Sequence, residues 1–119
     1  MEPSQYRSSH TAHENDLDAV YNALADSTRR ELMELLVAQE LSITTLTKHF
    51  PISRVAVTKH LNVLQQAGLV HERKIGREHR YRLNPEPLRE AHNWLAHYEQ
   101  FWSEKLTNLK AYIEEDSQS

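Results

Sequence analysis

The sequence predicts one mainly α-helical domain with a two-stranded β-hairpin, and three observations lead to this fold class. Apolar residues recur at a spacing of three or four over several segments after residue 15, which is typical of amphipathic helices. One segment, residues 69–83, instead alternates in character and turns at a glycine, as a hairpin does. A chain of 119 residues with 39% apolar content can bury one core of ordinary size.

The N-terminal part of the chain divides into a polar arm and a first helix. Residues 1–15 are rich in Ser, His and Asn, so we expect a poorly ordered arm before a domain of residues 16–119. Asp26 or Ser27 is in position to cap a second helix. The first helix begins near Asp16, and its apolar face is formed by Leu17, Val20, Tyr21 and Leu24.

Residues 42–68 carry the local signals of two short helices separated by a tight turn. Ser42 and Ser53 each precede a helical stretch and can cap it with a side-chain oxygen. Pro51 ends the first helix because it disfavours the helical conformation of the residue before it. Gly68 ends the second helix because glycine tolerates the left-handed conformation just past a helix end. These signals together predict a helix-turn-helix.

The second of these two helices has an apolar face and a polar, basic one. Val57, Leu61 and Leu64 recur at i, i+4 and i+7 and are predicted to enter the core. This spacing leaves the other faces to Arg54, Val55, Thr58, Lys59 and Asn62.

Positive charge is concentrated in this part of the chain. The formal net charge is -3, yet residues 51–82 contain seven Lys or Arg and two Glu. Such a basic block is typical of a nucleic-acid-binding surface. The hairpin directly follows the helix-turn-helix, so we interpret it as a wing that contacts DNA phosphates or the minor groove through Arg73, Lys74, Arg77, Arg80 and Arg82. Arg29 and Arg30, in the first turn of the second helix, are either solvated or phosphate contacts.

A long final helix is predicted from about residue 86 to about residue 114, and it carries an apolar stripe along its whole length. It would span roughly 43 Å at 1.5 Å per residue, which is longer than the body of such a domain. A helix packed wholly on its own domain is the alternative. We favour a homodimer whose interface includes Leu17, Val20, Tyr21, Leu95, Tyr98, Trp102, Leu106 and Leu109.

In this order of elements the chain resembles the ArsR/SmtB family of bacterial winged helix-turn-helix repressors. The resemblance is carried by ALADSTRRELMELL at 23–36, by residues 52–70, by REHRYRL at 77–83 and by the terminal helix. It implies a homodimer that binds an imperfect inverted repeat in an operator, usually to repress transcription. The candidate DNA-binding residues are Ser53, Arg54, Val55, Thr58, Lys59, His60, Arg73, Lys74, Arg77, Arg80, Arg29 and Arg30.

The residues that bind metals in relatives are replaced in this chain. Arsenic and lead sensors of the family have two cysteines in the first helix of the helix-turn-helix, in a motif similar to E-L-C-V-C-D-L. This chain has Ser42 and Thr44 at those positions, which cannot form a thiolate site. Zinc sensors use two pairs of ligands on the terminal helix; Glu90-Ala91-His92 is similar to the first pair, but Ser103 and Leu106 occupy the second. The chain therefore resembles the branch of the family that needs no metal or other cofactor. Its inducer, a small molecule or a protein, cannot be read from these residues.

Other functions are less consistent with the sequence. A zinc-responsive repressor that uses histidines is the nearest alternative, and a winged helix that binds an acidic protein is a more distant one. The absence of cysteine excludes disulfides and thiolate chemistry, and no phosphate loop or nucleophile-base pair suggests an enzyme. No apolar run approaches the length of a membrane span or a signal peptide, so we expect a cytoplasmic protein with no membrane partner.

Overall fold

The computed structural model describes residues 16–118 and confirms the mainly helical fold with a β-hairpin wing. The polar arm predicted over residues 1–15 lies outside the described residues. The first helix, α1, is described over residues 16–24. The elements that follow it are α2 (Ser27–Ala38), β1 (Leu41–Ser42), α3 (Ile43–Thr47), α4 (Arg54–Gln66), β2 (Val70–Ile75), β3 (Glu78–Leu83) and α5 (Glu86–Gln118).

Side-chain caps begin three of the helices, as the sequence predicted. Asp26, one of the two candidates for α2, accepts a hydrogen bond at Oδ1 from the backbone N–H of Arg29 at 3.1 Å. The Ser42 and Ser53 hydroxyl oxygens accept hydrogen bonds from backbone N–H groups in the first turns of α3 and α4. Each cap satisfies a donor that has no partner inside its helix, which fixes where the helix starts.

The end of α4 is fixed by a left-handed glycine. Gly68 has a φ of 76°, and the backbone N–H of Leu69 donates to the Leu64 carbonyl at 2.9 Å. This bond and the one from Gly68 to Gln65 form the Schellman pattern that closes a helix. The Asn84 side chain then donates to the Gly68 carbonyl at 2.7 Å. The hairpin is therefore tied at its base to the end of α4.

The wing belongs to a three-stranded antiparallel sheet with the strand order β1-β3-β2. β2 and β3 form the predicted hairpin, which turns at Gly76 with a φ of 63°. The additional strand β1 pairs Leu41 with Tyr81 and Ser42 with Arg80. The sequence analysis did not predict β1 because two residues are too few to show alternation.

One hydrophobic core joins the first four helices to the base of the sheet. Val57, Leu61 and Leu64 of α4 are fully buried in it, as predicted from their spacing. Val70 and Tyr81 enter the core from the sheet. Val20 was predicted to lie in a dimer interface but is 3% exposed, so it packs within its own chain. It has almost no surface to offer a partner because α1 rests directly on this core.

Arg29 and Arg30 have a structural role that the sequence analysis did not consider. Arg29 donates from Nε to the Ala23 carbonyl and from Nη2 to the Asn22 carbonyl, both at 2.8 Å. Arg30 donates from Nη1 to the Leu24 carbonyl at 2.6 Å. These carbonyls lie in the last turn of α1, where the helix provides no i+4 donor for them. The two arginines therefore close α1 and join it to the start of α2.

The final helix α5 extends well beyond the body of the domain. It contains 33 residues, and at 1.5 Å per residue it is about 50 Å long. Within its described part, Ala91 is buried and Leu88 is partly buried against the core. The Trp94 ring still contacts Tyr21 of α1, with ring centroids 5.9 Å apart, but the helix after it leaves the core. Among the helices of residues 16–118, none has the length and hydropathy of a membrane span.

We expect Arg29→Lys to lower the free energy of unfolding by about 1–3 kcal/mol, because an ammonium group cannot reproduce the fork that binds two carbonyls at once. Arg30→Lys is the matched control, since a single donor suffices for its one carbonyl, and it should leave stability nearly unchanged. Urea denaturation at one fixed protein concentration measures both values. An Arg29→Lys protein as stable as the wild type would contradict the capping role.

Candidate nucleic-acid interface

The first two turns of α4 present a basic and hydrogen-bonding surface to solvent. Arg54, Val55 and Lys59 are exposed, and Thr58 is half-buried beside them. Val55 is 65% exposed, although Val57 two residues later is fully buried. The Ser53 hydroxyl already accepts a hydrogen bond as the cap of α4, but its own hydrogen can still be donated. This surface combines a cation, a methyl group and hydroxyl groups, which are the groups that read base edges.

A polar groove separates α4 from the wing. Arg54, Thr58 and Asn62 line one side of it, and Glu72, His79 and Tyr81 line the other. Nδ1 of His79 is paired with a carboxylate oxygen of Glu72. Burial, followed by the nearby Glu72 carboxylate, raises the pKa of Tyr81 to about 12. The groove contains the Glu72 carboxylate as well as the cation of Arg54.

The tip of the wing carries exposed cations. Arg77 lies in the turn beside Gly76, and Lys74 lies near the tip on β2. Neither side chain forms an ion pair with any residue in the described part of the chain. Arg82 is likewise exposed at the base of the wing. These positions remain available for a polyanion.

Arg73 and Arg80 were predicted to bind DNA, but the structure pairs both with acidic side chains. Arg73 donates to both carboxylate oxygens of Glu40, each at 2.8 Å. Arg80 donates from Nε to Glu40 at 3.1 Å and from Nη1 to Glu78. The Arg73 guanidinium lowers the pKa of the Glu40 carboxyl below its ordinary value, so the pair is ionised at neutral pH. No sequence signal pointed to Glu40, which is 33 residues from Arg73.

His60 of α4 is directed toward the start of α2. Its Nδ1 lies 3.3 Å from Arg29 Nη1 and 3.9 Å from an Asp26 carboxylate oxygen. The backbone N–H of Arg29 lowers the pKa of Asp26, which therefore stays ionised beside the imidazole. The sequence predicts His60 as a candidate DNA-binding residue, whereas its described contacts are with residues at the start of α2. His60 and Arg29 thereby hold α4 against α2.

Ser42, which occupies a cysteine position of the metal sensors, is part of the local structure of α3. It is 6% exposed, and its hydroxyl donates to Thr45 Oγ1 at 3.1 Å in addition to capping the helix. Thr44 is exposed on the same helix. Within residues 16–118, no three His, Asp or Glu side chains come together in a group that could hold a metal ion. His10 and His13 lie outside the described residues.

The predicted dimer-interface residues of α5 form a continuous exposed stripe. Leu95, Tyr98, Trp102, Leu106 and Leu109 are between 48% and 62% exposed. Further apolar side chains widen this stripe, and all of them are exposed as well: Trp94, Phe101, Tyr112 and Ile113. Leu17 and Tyr21 of α1, the other predicted interface residues, are partly buried against the core. Tyr21 contacts Trp94, the first residue of the stripe.

Comparison with known proteins agrees with this geometry. A family model described as a helix-turn-helix domain matches residues 24–73. The HTH-type transcriptional regulator Rv2034 of Mycobacterium tuberculosis is 36% identical over 99 residues, which cover 83% of this chain and 90% of the relative. The transcriptional repressor SdpR of Bacillus subtilis is 30% identical over 82 residues, which cover 69% of this chain and 91% of the relative.

Solved structures give the same result. An ArsR-like transcriptional regulator from Rhodococcus sp. RHA1 superimposes with a TM-score of 0.69 at 36% identity, covering 87% of this chain and 95% of that protein. The chain therefore belongs to the ArsR/SmtB family of winged helix-turn-helix proteins, which are DNA-binding transcriptional regulators and not enzymes.

Proposed function

We propose that this regulator is a repressor that binds a palindromic operator as a homodimer in the cytoplasm, without a metal or other cofactor. The observation that carries the proposal is the coexistence of two exposed surfaces on one chain. One is the basic surface of α4 and the wing tip, and the other is the apolar stripe of α5. The first surface suits double-stranded DNA, and the second suits another copy of the chain.

The recognition helix is α4, and its N-terminal half enters the major groove. Arg54 donates two hydrogen bonds to a guanine, and Val55 contacts the methyl group of a thymine. Exposure of both side chains supports these roles, because a valine that is 65% exposed has no packing function in its own chain. Thr58, Lys59 and the Ser53 hydroxyl serve base edges or nearby phosphates.

The wing contributes affinity that does not depend on sequence. Lys74 and Arg77 lie near or at its tip and make no ion pair among the described residues, so their charges can neutralise DNA phosphates. A β-hairpin beside a recognition helix reaches the backbone or the adjacent minor groove. The base-reading and charge-neutralising groups therefore lie on different elements.

A second copy of the chain covers the stripe of α5. Nine large apolar side chains from Trp94 to Ile113 are between 45% and 71% exposed, which is a far larger apolar surface than an isolated soluble domain normally presents. Their repeat at three or four residues runs along the helix, so two antiparallel or crossed copies can bury the same positions on both sides. A two-fold axis then presents two recognition helices about one turn of DNA, roughly 34 Å, apart.

We expect Arg54→Ala to weaken binding to the operator by about 1–3 kcal/mol and to relax specificity at one base pair in each half-site. Arg77→Ala is the matched control, because it removes the same charge from the wing and should weaken all DNA similarly while lowering the salt slope by about one. Fluorescence anisotropy with a duplex selected by the wild-type protein from a random pool, and with a scrambled duplex, measures both effects. Equal loss on the two duplexes for Arg54→Ala would make Arg54 a phosphate contact.

We expect Trp102→Asp to yield a folded monomer whose operator affinity falls by about two orders of magnitude or more, because the half-sites are no longer linked. The control is Val37→Asp, which alters an apolar residue on α2 that is 70% exposed, against 62% for Trp102, and lies away from the stripe. Sedimentation equilibrium gives the oligomeric state, and circular dichroism verifies the helix content. An intact dimer for Trp102→Asp would refute the assigned interface.

A further inference from the structure

Glu40 lies in the short link between α2 and β1 and binds two arginines of the wing. Its Oε1 accepts from Arg73 Nε at 2.8 Å, and its Oε2 accepts from Arg73 Nη2 at 2.8 Å and from Arg80 Nε at 3.1 Å. Its backbone carbonyl also accepts from Arg80 Nη2 at 3.5 Å. One residue outside the hairpin is thus joined to both of its strands.

The register of the sheet explains why a carboxylate is needed at this place. Arg73 and Arg80 are direct cross-strand partners, so their charges lie on the same face. Two like charges opposite each other destabilise a sheet. Glu40 offsets this repulsion by binding both guanidinium groups, and Glu78 adds a second carboxylate to Arg80.

The geometry of these contacts suits positioning better than DNA binding. The bidentate pairing uses Nε and Nη2 of Arg73, which is the edge that a guanidinium would also present to a phosphate. The Glu40 side chain is 20% exposed and that of Arg80 is 31% exposed, whereas that of Arg73 is 62% exposed but has Nε and Nη2 bound to Glu40. Lys74 and Arg77 differ from Arg73 and Arg80 in having no ion-pair partner among residues 16–118.

The sheet itself holds the wing weakly at this edge. β1 contributes two residues, which pair with Tyr81 and Arg80 of β3. A strand of two residues gives few ladder hydrogen bonds, so additional contacts are needed to fix the direction of the hairpin. Glu40 stands immediately before β1 and supplies charge-assisted hydrogen bonds to both β2 and β3.

We propose that Glu40, Arg73 and Arg80 form a clamp that sets the angle of the wing relative to α4, and that the two arginines are positioning residues and not DNA contacts. The proposal rests on the DNA-binding function proposed above. The clamp holds the wing so that Lys74 and Arg77 meet the DNA backbone while α4 occupies the major groove. Breaking it lowers affinity without removing a phosphate contact.

The DNA test compares Arg73→Lys, Arg73→Gln and Glu40→Gln with Arg77→Ala on the duplex selected by the wild-type protein. We expect all three clamp variants to bind about five- to tenfold more weakly with an unchanged salt slope, since lysine keeps the charge but cannot form the bidentate pair. Arg77→Ala should lower the slope by about one. The clamp would be overturned if Arg73→Lys bound the duplex as tightly as the wild type and Arg73→Gln showed a reduced salt slope, because Arg73 would then act as a DNA contact. Tighter binding by Glu40→Gln would also overturn it, because the carboxylate would then compete with DNA.

A second test needs no DNA and separates the clamp from the proposed function. Amide hydrogen exchange of the unbound protein should become faster across β2 and β3 in Glu40→Gln and Arg73→Lys, and should be unchanged there in Arg77→Ala. Unchanged exchange in all variants would refute the clamp even if the protein binds its operator. If exchange is faster in the clamp variants but the wild-type protein binds no DNA, the proposed function is refuted and the clamp stands.

Discussion

The structure depends on the burial of one face of α4. Val57, Leu61 and Leu64 are fully buried, and each contributes about 1.5–3 kcal/mol relative to an exposed position. At 100° per residue, fixing these three side chains in the core also fixes which residues point outward. Arg54 and Val55 are therefore exposed because of where their neighbours are buried. The same core continues through Leu69 and Val70 into the wing, so the hairpin starts in a defined direction from the end of α4.

Positive charge in this protein serves two purposes, and the structure separates them. Arg29 and Arg30 bind the last carbonyls of α1, and Arg73 and Arg80 bind acidic side chains. Those four groups join one element to another. The exposed cations on the candidate DNA-binding surface are Arg54 and Lys59 on the first turns of α4 and Lys74, Arg77 and Arg82 on the wing. A count of basic residues therefore overestimates the surface that is available for DNA.

Features set by local chemistry could be predicted from the sequence. The caps at Ser42 and Ser53 and the left-handed Gly68 each depend on a few neighbouring residues, and the structure confirms them. The apolar face of α4 and the turn of the hairpin likewise follow from spacing alone. These features place the recognition helix and the wing, which is most of the candidate site.

Features that depend on distant residues could not be predicted in this way. The pairing of Glu40 with Arg80 joins residues 40 positions apart, and the local sequence around either residue does not predict it. The two residues of β1 acquire strand geometry from β3 and not from their own pattern. The spacing of Val20 is compatible with a core position and with an interface position. Because α1 packs on the core, Val20 is a core residue.

The most direct measurement is a hydroxyl-radical footprint of the wild-type protein on the selected duplex, because it reports how many recognition helices engage DNA and how they are arranged. We expect two protected segments related by a two-fold axis, with centres about 10–10.5 base pairs apart, as two helices in successive major grooves require. A single protected segment, produced by a protein that is dimeric under the same conditions, would contradict the proposal that α5 pairs two DNA-reading domains on one operator.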